Sequence, residues 1–134
     1  MDDWNQGVIE EFRANGGNVG GMFEGRPLLL LHHVGARTGT RRVTPLMYQD
    51  VGRDYAVFAS KAGADTNPDW YHNLVTNSRA EVEVGTHTVR VVARVAQGDE
   101  RNRIWSRQKR EYPQFAEYES LTSRVIPVIV LERT

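Results

Sequence analysis

The chain has 134 residues, its 17 basic and 17 acidic side chains cancel, and it contains no cysteine. This length predicts one domain, residues 1–134, that can bury its own core, and the missing cysteines exclude disulfides and thiolate metal sites. A neutral chain also lacks the basic surface on which general nucleic-acid binding depends.

The start of the chain, Met1-Asp2-Asp3-Trp4, is acidic and lacks the apolar segment of a secretory signal. Apolar runs such as Leu28 to Leu31 are far too short to cross a bilayer. We therefore expect a soluble, cytoplasmic protein.

The first predicted element is an amphipathic helix over residues 3–15. Its apolar side chains recur at helical spacing, at Trp4, Val8, Ile9 and Phe12. Two glycine pairs follow, so residues 1–25 are expected to form an N-terminal helix and a glycine-rich hinge. The sequence leaves three roles open for this helix: packing on the body of the protein, acting as a lid, or making a weak membrane contact.

Further along the chain, about six strands and, with the first helix, three or four helices are expected. Apolar or alternating residues predict strands at residues 28–34, 43–50, 55–60, 80–84, 87–96 and 126–131. Helices are predicted at 67–77, with Asn67 as cap and Pro68 in the first position, at 99–110, capped by Asp99, and at 113–120. Because the strands come in hairpins, we expect an α+β fold with a mainly antiparallel sheet or barrel.

The turn between the first two strands carries the most informative chemistry. Gly35-Ala36-Arg37-Thr38-Gly39-Thr40-Arg41-Arg42 combines small residues with three arginines. Backbone N–H groups, hydroxyls and fixed positive charges in one small volume suit a phosphate or a polycarboxylate. The turn lacks the Gly-Lys-Ser/Thr ending of a P-loop, and no G-x-G-x-x-G motif opens a helix.

A second turn of similar character, Ser60-Lys61-Ala62-Gly63, leads towards the helix at 67–77. Between Arg26 and Lys61 there are six basic and two acidic residues, a net charge of +4. Two cationic turns so close in sequence predict one extended anionic ligand. A solvated surface face is the alternative for such a charged block.

Few side chains are suited to covalent or metal chemistry. His32 and His33 are neighbours on a strand, so they point to opposite faces and cannot chelate one ion; no metal site is expected. The chain also has no G-x-S-x-G motif and no cysteine nucleophile. If the protein is an enzyme, a cofactor is therefore expected to carry the reaction.

An aromatic face completes the set of candidate features. Tyr112, Phe115 and Tyr118 recur every three positions and share one side of a helix. This face either packs the helix onto the sheet or lines a pocket for a flat substrate, with the phenols as hydrogen-bond donors.

Six short motifs, in order, resemble the deazaflavin-dependent nitroreductase family of actinobacteria, a branch of the split β-barrel flavin and deazaflavin oxidoreductases. They are Gly-x-Arg-Thr-Gly, Arg-Val-x-Pro-Leu, Ser-Lys-Ala-Gly-Ala, Asn-Pro-x-Trp-Tyr-x-Asn-Leu, Tyr-Pro-x-Phe-x-x-Tyr and Arg-x-Ile-Pro-Val. The resemblance covers the chain from about Leu28 to Leu131. It implies a split β-barrel that binds coenzyme F-420, an 8-hydroxy-5-deazaflavin with a phosphate, a lactyl group and a polyglutamate tail. It also implies hydride transfer from the reduced cofactor to a quinone, a nitroaromatic, or an activated enone or lactone.

The residues that the resemblance assigns to the cofactor lie on the two turns, the second strand and the following helix: Arg37, Thr38, Gly39, Arg42, Pro45, Ser60, Lys61, Ala62, Gly63, Trp70 and Asn73. Among these, the first turn and Arg42 would bind the phosphate, and the second turn would bind the polar edge of the ring. Tyr112 and Tyr118 are the candidate catalytic donors. Phe115 is assigned to the substrate pocket, at a position where nitroimidazole-reducing relatives tend to carry tyrosine.

Other functions stay open at this point. An FMN-dependent split-barrel oxidoreductase would use the same turns for a shorter anionic tail, and a non-catalytic barrel could carry a cofactor or a lipid. An oligonucleotide-binding barrel is disfavoured by the zero net charge. The expected partner is a small-molecule hydride acceptor rather than a nucleic acid, and the protein is expected to be a monomer or a homodimer.

Overall fold

The computed structural model describes residues 2–134, apart from the side chains of residues 2–4 and 22. The predicted apolar role of the Trp4 side chain therefore lies outside the described residues. The described residues contain seven strands: β1 (Leu28–Val34), β2 (Arg41–Met47), β3 (Gln49–Val51), β4 (Asp54–Phe58), β5 (Arg79–Val84), β6 (His87–Val95) and β7 (Val128–Arg133).

These strands form one antiparallel sheet in the order β2-β1-β5-β6-β7-β4-β3. Strand β2 also contacts β4, from near the opposite end of this order, so the sheet curls towards a barrel. The predicted α+β, mainly antiparallel architecture is confirmed. The strand predicted at 43–50 is two strands, because the residues up to Met47 pair with β1, whereas Gln49 begins the pairing with β4.

Four α-helices accompany the sheet in the described residues: α1 (Asp2–Ala14), α2 (Asp69–Thr76), α3 (Gly98–Glu111) and α4 (Gln114–Ser120). Two predicted caps are wrong. Pro68 is the N-cap of α2, without a side-chain cap bond, and Asn67 Oδ1 instead accepts a hydrogen bond from Arg124. Gln97 is the N-cap of α3, so Asp99 lies in the first turn, where its charge still complements the helix dipole.

Strand β1 is buried on both faces, because successive side chains point to opposite sides of a sheet. Leu29 and Leu31 belong to the core inside the curl, while Leu28 and Leu30 pack against α1. On α1 the contacts come from Val8, Ile9 and Phe12, and Phe12 is only 1% exposed. The apolar face of α1 is therefore used in packing, which favours the first of the three roles predicted for this helix.

An ion pair also fastens α1 to the sheet, since Arg13 Nη2 lies 2.7 Å from Glu83 Oε2 of β5. Among the described residues, no helix has the length and apolar character needed to span a bilayer.

The two turns singled out in the sequence lie next to helices. The first joins β1 to β2, and α2 packs against β1. The second is a short 3₁₀ helix, Lys61–Gly63, and α4 packs against it. Helix α2 follows the second turn in the chain and reaches the first, so it connects the two.

Candidate functional site

The first turn is a compact loop at the end of the β1–β2 hairpin. Val34 and Arg41 form the last pair of the ladder before it. Within the loop the Gly35 N–H donates to Thr40 O at 2.8 Å, and the Gly39 N–H donates to Gly35 O at 2.9 Å. Gly39 has φ +69°, a conformation that glycine adopts at little cost. The hairpin thus fixes the loop at one edge of the sheet.

Asn73 anchors this loop to α2 and β1. Its Oδ1 accepts a hydrogen bond from the Ala36 N–H at 2.8 Å, and its Nδ2 donates to His33 Nδ1 at 3.0 Å. His33 Nε2 in turn lies 2.8 Å from Thr44 Oγ1. Because Nδ1 accepts, the network requires a neutral imidazole whose proton is on Nε2. Asn73 and His33 are buried, so the loop is supported by a hydrogen-bond network shielded from water.

The His33 network predicts a loss of stability in acid. Burial, followed by the nearby Arg42 charge, lowers the pKa of His33 from 6.5 to about 4. Between these two values the unfolded chain binds more protons than the folded one. The free energy of unfolding is therefore expected to fall as the pH drops from 6.5 towards about 4, and to depend less on this group below that. Chemical denaturation across this pH window measures the effect.

A His33→Gln variant is the control, since glutamine keeps a donor and an acceptor but does not titrate. Its free energy of unfolding should change less steeply over the same window. Glu83, whose pKa is lowered by the hydrogen bond from Arg13, adds a pH dependence of stability at lower pH that is the same in both proteins. Equal slopes in wild type and variant would contradict the assignment to His33.

A cavity of about 410 Å³ opens beside the first turn. Its walls come from the turn, the start of β2 and the first half of α2: Gly35, Ala36, Arg37, Thr38, Arg42, Asp69, His72 and Asn73. The Arg42 side chain reaches back across the turn, since a Cβ on Gly35 would lie 3.7 Å from Arg42 Nε. Four predicted cofactor residues, Arg37, Thr38, Arg42 and Asn73, are therefore brought together.

The free donors of this cavity suit an anion. In the described residues neither Arg37 nor Arg42 forms an ion pair, and the backbone N–H groups of Arg37 and Thr38 make no hydrogen bond within the protein. Among the described lining residues, two arginines and the N–H donors of the turn are accompanied by a single carboxylate, that of Asp69. This donor set fits a phosphate group.

A larger cavity, about 580 Å³, lies where β1 and β5 part, and His32, Arg41, Arg79, Glu81 and Arg90 are among its lining residues. None of the predicted cofactor residues lines it. Because both cavities are lined by arginines, the presence of the predicted cofactor residues, and not volume, selects the smaller cavity as the candidate site.

The second turn has an unusual backbone. Lys61 and Ala62 have φ +46° and +53°, in the left-handed region, which costs roughly 1–2 kcal/mol for each residue other than glycine. Gly63 has φ +83°, and a Cβ there would lie 2.9 Å from both Leu121 Cβ and Tyr118 O. Lys61 and Ala62 are nevertheless exposed. Strain at an exposed turn is a feature of ligand-binding sites.

Arg124 is a residue of this region that the sequence analysis did not assign. Its guanidinium donates to three backbone carbonyls around the second turn and to Asn67. Its only sequence signal is its place as the first residue of the Arg-x-Ile-Pro-Val motif. Its partners lie about sixty residues earlier in the chain, so local reasoning could not find them.

The prediction that the three aromatic residues share one helix face is wrong, because Tyr112 is the C-cap of α3, whereas Phe115 and Tyr118 lie on α4. Phe115 is 5% exposed, and its ring lies 5.7 Å from that of Phe58 and 6.2 Å from that of Trp105. Tyr112 and Tyr118 are half-buried, and the Tyr118 carbonyl borders the second turn. The burial of Phe115 favours the packing alternative for that residue, while the two tyrosines stay partly accessible.

The remaining predicted residues lie outside the cavity. Trp70 is 6% exposed and belongs to the core beneath α2, and Pro45 pairs with Leu30 in the β1–β2 ladder. Gly39 lies at the tip of the first turn but not among the lining residues. Residues 60–63 form a second group against α4, separate from the cavity.

Comparison with known proteins gives the family. The sequence model of the F420H(2)-dependent quinone reductases matches residues 4–133. An F420H(2)-dependent quinone reductase of Mycobacterium tuberculosis (strain ATCC 25618 / H37Rv) is 38% identical over 126 residues, which cover 91% of this chain and 85% of the relative.

Two solved structures agree with this result. One, described as the F420-H2 dependent reductase FDR-A, is 37% identical with a TM-score of 0.73, and the match covers 80% of this chain and 95% of the other. The second, described as a domain-swapped dimer, is 34% identical with a TM-score of 0.75, and the match covers 98% of each chain. The resemblance seen in the sequence and the split-barrel fold that it implied are confirmed. This chain belongs to the F420H(2)-dependent quinone reductase family.

Proposed function

We propose that this chain binds coenzyme F-420 across its two turns and transfers hydride from the reduced cofactor to a quinone. Nitroaromatics and activated enones or lactones are further acceptor classes for the same reaction. The observation that carries the proposal is the cavity whose two guanidinium groups and two N–H donors have no partner among the described residues, in a chain of this family.

The phosphate of the cofactor binds, in this proposal, to the first turn. The guanidinium groups of Arg37 and Arg42 and the N–H groups of Arg37 and Thr38 supply the donors, and Gly39 gives the turn its shape. Asn73 acts through its hydrogen bond to the Ala36 N–H, which keeps the turn in place.

The ring end of the cofactor binds at the second turn. Ser60, Lys61, Ala62 and Gly63 take its polar edge, and the exposed, left-handed backbone at positions 61 and 62 supports this role. Pro45 and Trp70, which the family resemblance also assigns to the cofactor, shape the site from β2 and α2.

The reduced deazaflavin, when bound, supplies the hydride. The chain itself binds and orients the reactants, and orientation can lower a barrier by roughly 7–11 kcal/mol. Tyr112 and Tyr118 are the candidate donors to the negative charge that develops on the acceptor oxygen. Both are half-buried, and Tyr118 lies beside the second turn, which is where the ring end would bind.

The acceptor is a small molecule, and the proposal involves no nucleic acid. A homodimer is favoured over a monomer by one observation, the similar solved structure described as a domain-swapped dimer. The cytoplasmic location expected from the sequence stays a prediction.

Cofactor preference provides the test of this function. Fluorescence titration should give at least about tenfold tighter binding of F-420 than of FMN, because one good charge-assisted contact to the longer anionic tail is enough for that ratio. Single-stranded DNA should not compete. Mixing the complex of reduced F-420 with a quinone, without oxygen, should then oxidise the bound cofactor in a single turnover.

Two other results of this experiment would each indicate a different function. Comparable or tighter FMN binding would make the chain a flavin oxidoreductase, and tight F-420 binding without turnover of any acceptor class would make it a carrier. Either result overturns the proposal.

A further inference from the structure

The second turn cannot keep its conformation through its own backbone. The left-handed residues Lys61 and Ala62 stand next to each other and are exposed to solvent. Its backbone contributes two hydrogen bonds, from the Gly63 N–H to Ser60 O at 2.9 Å and from the Ala64 N–H to Lys61 O at 3.1 Å, and the Lys61 ammonium donates a third to Thr66 Oγ1 at 3.1 Å. Contacts from elsewhere in the fold must therefore hold it.

Arg124 supplies these contacts from the segment between α4 and β7. Its Nη1 donates to Ala59 O at 3.1 Å, its Nη2 to Ser60 O at 2.9 Å, and its Nε to Ala64 O at 2.8 Å. Nη1 also donates to Asn67 Oδ1 at 2.7 Å. Four of the five guanidinium N–H groups are thus used, and their acceptors lie on both sides of the strained pair.

Two neighbours of Arg124 reinforce the same turn. Thr122 Oγ1 donates to Asp65 Oδ1 at 2.9 Å, and the Arg124 N–H donates back to Thr122 Oγ1 at 3.3 Å. Leu121 covers Gly63, where there is no space for a Cβ. Leu121, Thr122 and Arg124 therefore all contact the second turn or the residues next to it.

The acceptors of Arg124 are all neutral, and in the described residues its guanidinium forms no ion pair. An arginine chosen only for charge balance would face a carboxylate. Here the planar guanidinium group holds several backbone carbonyls in fixed positions, which lysine cannot do because it has a single donor nitrogen.

We propose that Arg124 is a positioning residue that holds Ser60–Gly63 in the conformation that binds the ring end of the cofactor. Arg124 acts through the backbone of the turn and does not touch the ligand. The inference rests on the proposed function, because it assigns the second turn to the ring.

An Arg124→Lys variant tests this role, with two probes that separate the ends of the site. The first probe is a ribityl 8-hydroxy-5-deazaflavin without phosphate, which reports the ring end alone. The second is inorganic phosphate, used to displace F-420 from the first turn. Dissociation constants come from fluorescence titration, and the thermal unfolding midpoint verifies that each variant is folded.

The variant should bind the phosphate-free deazaflavin and F-420 about tenfold more weakly, by the same factor, because several charge-assisted bonds to the turn are lost. Its affinity for inorganic phosphate should stay unchanged. Arg101→Lys is the matched control: Arg101 also donates to a backbone carbonyl, Ile126 O at 2.7 Å, but it makes no bond to the turn. The Arg101→Lys variant should bind both probes with the affinity of the wild type.

Asn67→Ala is a milder second variant, which removes one of the four acceptors and keeps the protein testable if Arg124→Lys does not fold. It should weaken the binding of the phosphate-free deazaflavin, by a smaller factor than Arg124→Lys does. Unchanged binding of that probe in the folded variants, or an equal loss for phosphate, would reduce Arg124 to a residue that stabilises the fold. If the wild type binds phosphate but neither deazaflavin, the proposed function fails and this inference fails with it.

Discussion

Replacing Arg42 with alanine is expected to weaken F-420 binding by about ten- to hundredfold. A charge-assisted hydrogen bond contributes roughly 1.5–3 kcal/mol, and about 1.4 kcal/mol corresponds to a factor of ten. The guanidinium of Arg42 reaches across the first turn and has no competing ion pair among the described residues. The loss should therefore appear in the dissociation constant, measured by fluorescence titration, while the unfolding midpoint stays nearly constant.

Arg53→Ala is the matched control for this prediction. It removes the same charge from an exposed turn, between β3 and β4, that lies outside the cavity. Raising the salt concentration should reduce the difference between wild type and Arg42→Ala, because part of the contact is a screened charge interaction. Equal losses in the Arg42 and Arg53 variants would indicate a general charge effect, and no change in Arg37→Ala and Arg42→Ala would remove both residues from the site.

Local patterns were sufficient for most of the fold. The bounds of β1, Leu28–Val34, were predictable because its four leucines show no apolar–polar alternation, which is typical of a strand buried on both faces. The break at Tyr48 could not be read in the same way, since the β pattern of the sequence continues through it. The boundary is set by a change of partner strand, from β1 before Tyr48 to β4 after it.

The same distinction applies to the site. The first turn was recognisable because its glycines, hydroxyls and arginines are adjacent in sequence, and the structure gathers Arg37, Thr38 and Arg42 around one cavity. Asn67 looked like a helix cap because the sequence does not reveal that Arg124 uses its oxygen. His33 and its bond to Asn73 were missed for the same reason: hydrogen-bond partners forty residues apart leave no local pattern.

The aromatic face shows where periodicity alone is insufficient. Spacing of three places Phe115 and Tyr118 on one helix face, but it does not distinguish a pocket wall from a packed interface. The difference depends on what the rest of the chain places opposite them, here Phe58 and Trp105 at ring distances of 5.7 and 6.2 Å from Phe115. Only the tertiary structure supplies that information.

Replacing Phe115 with alanine is expected to lower the free energy of unfolding by about 3–5 kcal/mol, the usual cost of truncating a buried aromatic ring. Phe115 is 5% exposed and lies in a cluster with Phe58, Trp105 and Tyr118. Chemical denaturation measures the loss. Tyr118→Phe removes only a hydroxyl from a half-buried ring, so that variant should stay within about 0.5 kcal/mol of the wild type.

Phe115→Tyr then separates packing from substrate contact. A hydroxyl placed in this core without a partner should cost about 1–3 kcal/mol of stability and leave the ratio of quinone to nitroaromatic turnover unchanged. A hydroxyl on a pocket wall would instead be hydrated: stability would be kept, and nitroaromatic turnover would rise relative to quinone turnover. Steady-state kinetics with both acceptors at saturating reduced F-420, together with the denaturation curve, distinguish the two. Retained stability with a changed acceptor ratio would return Phe115 to the substrate pocket, whereas a loss of turnover in Tyr118→Phe alone would assign the donor role on α4 to Tyr118.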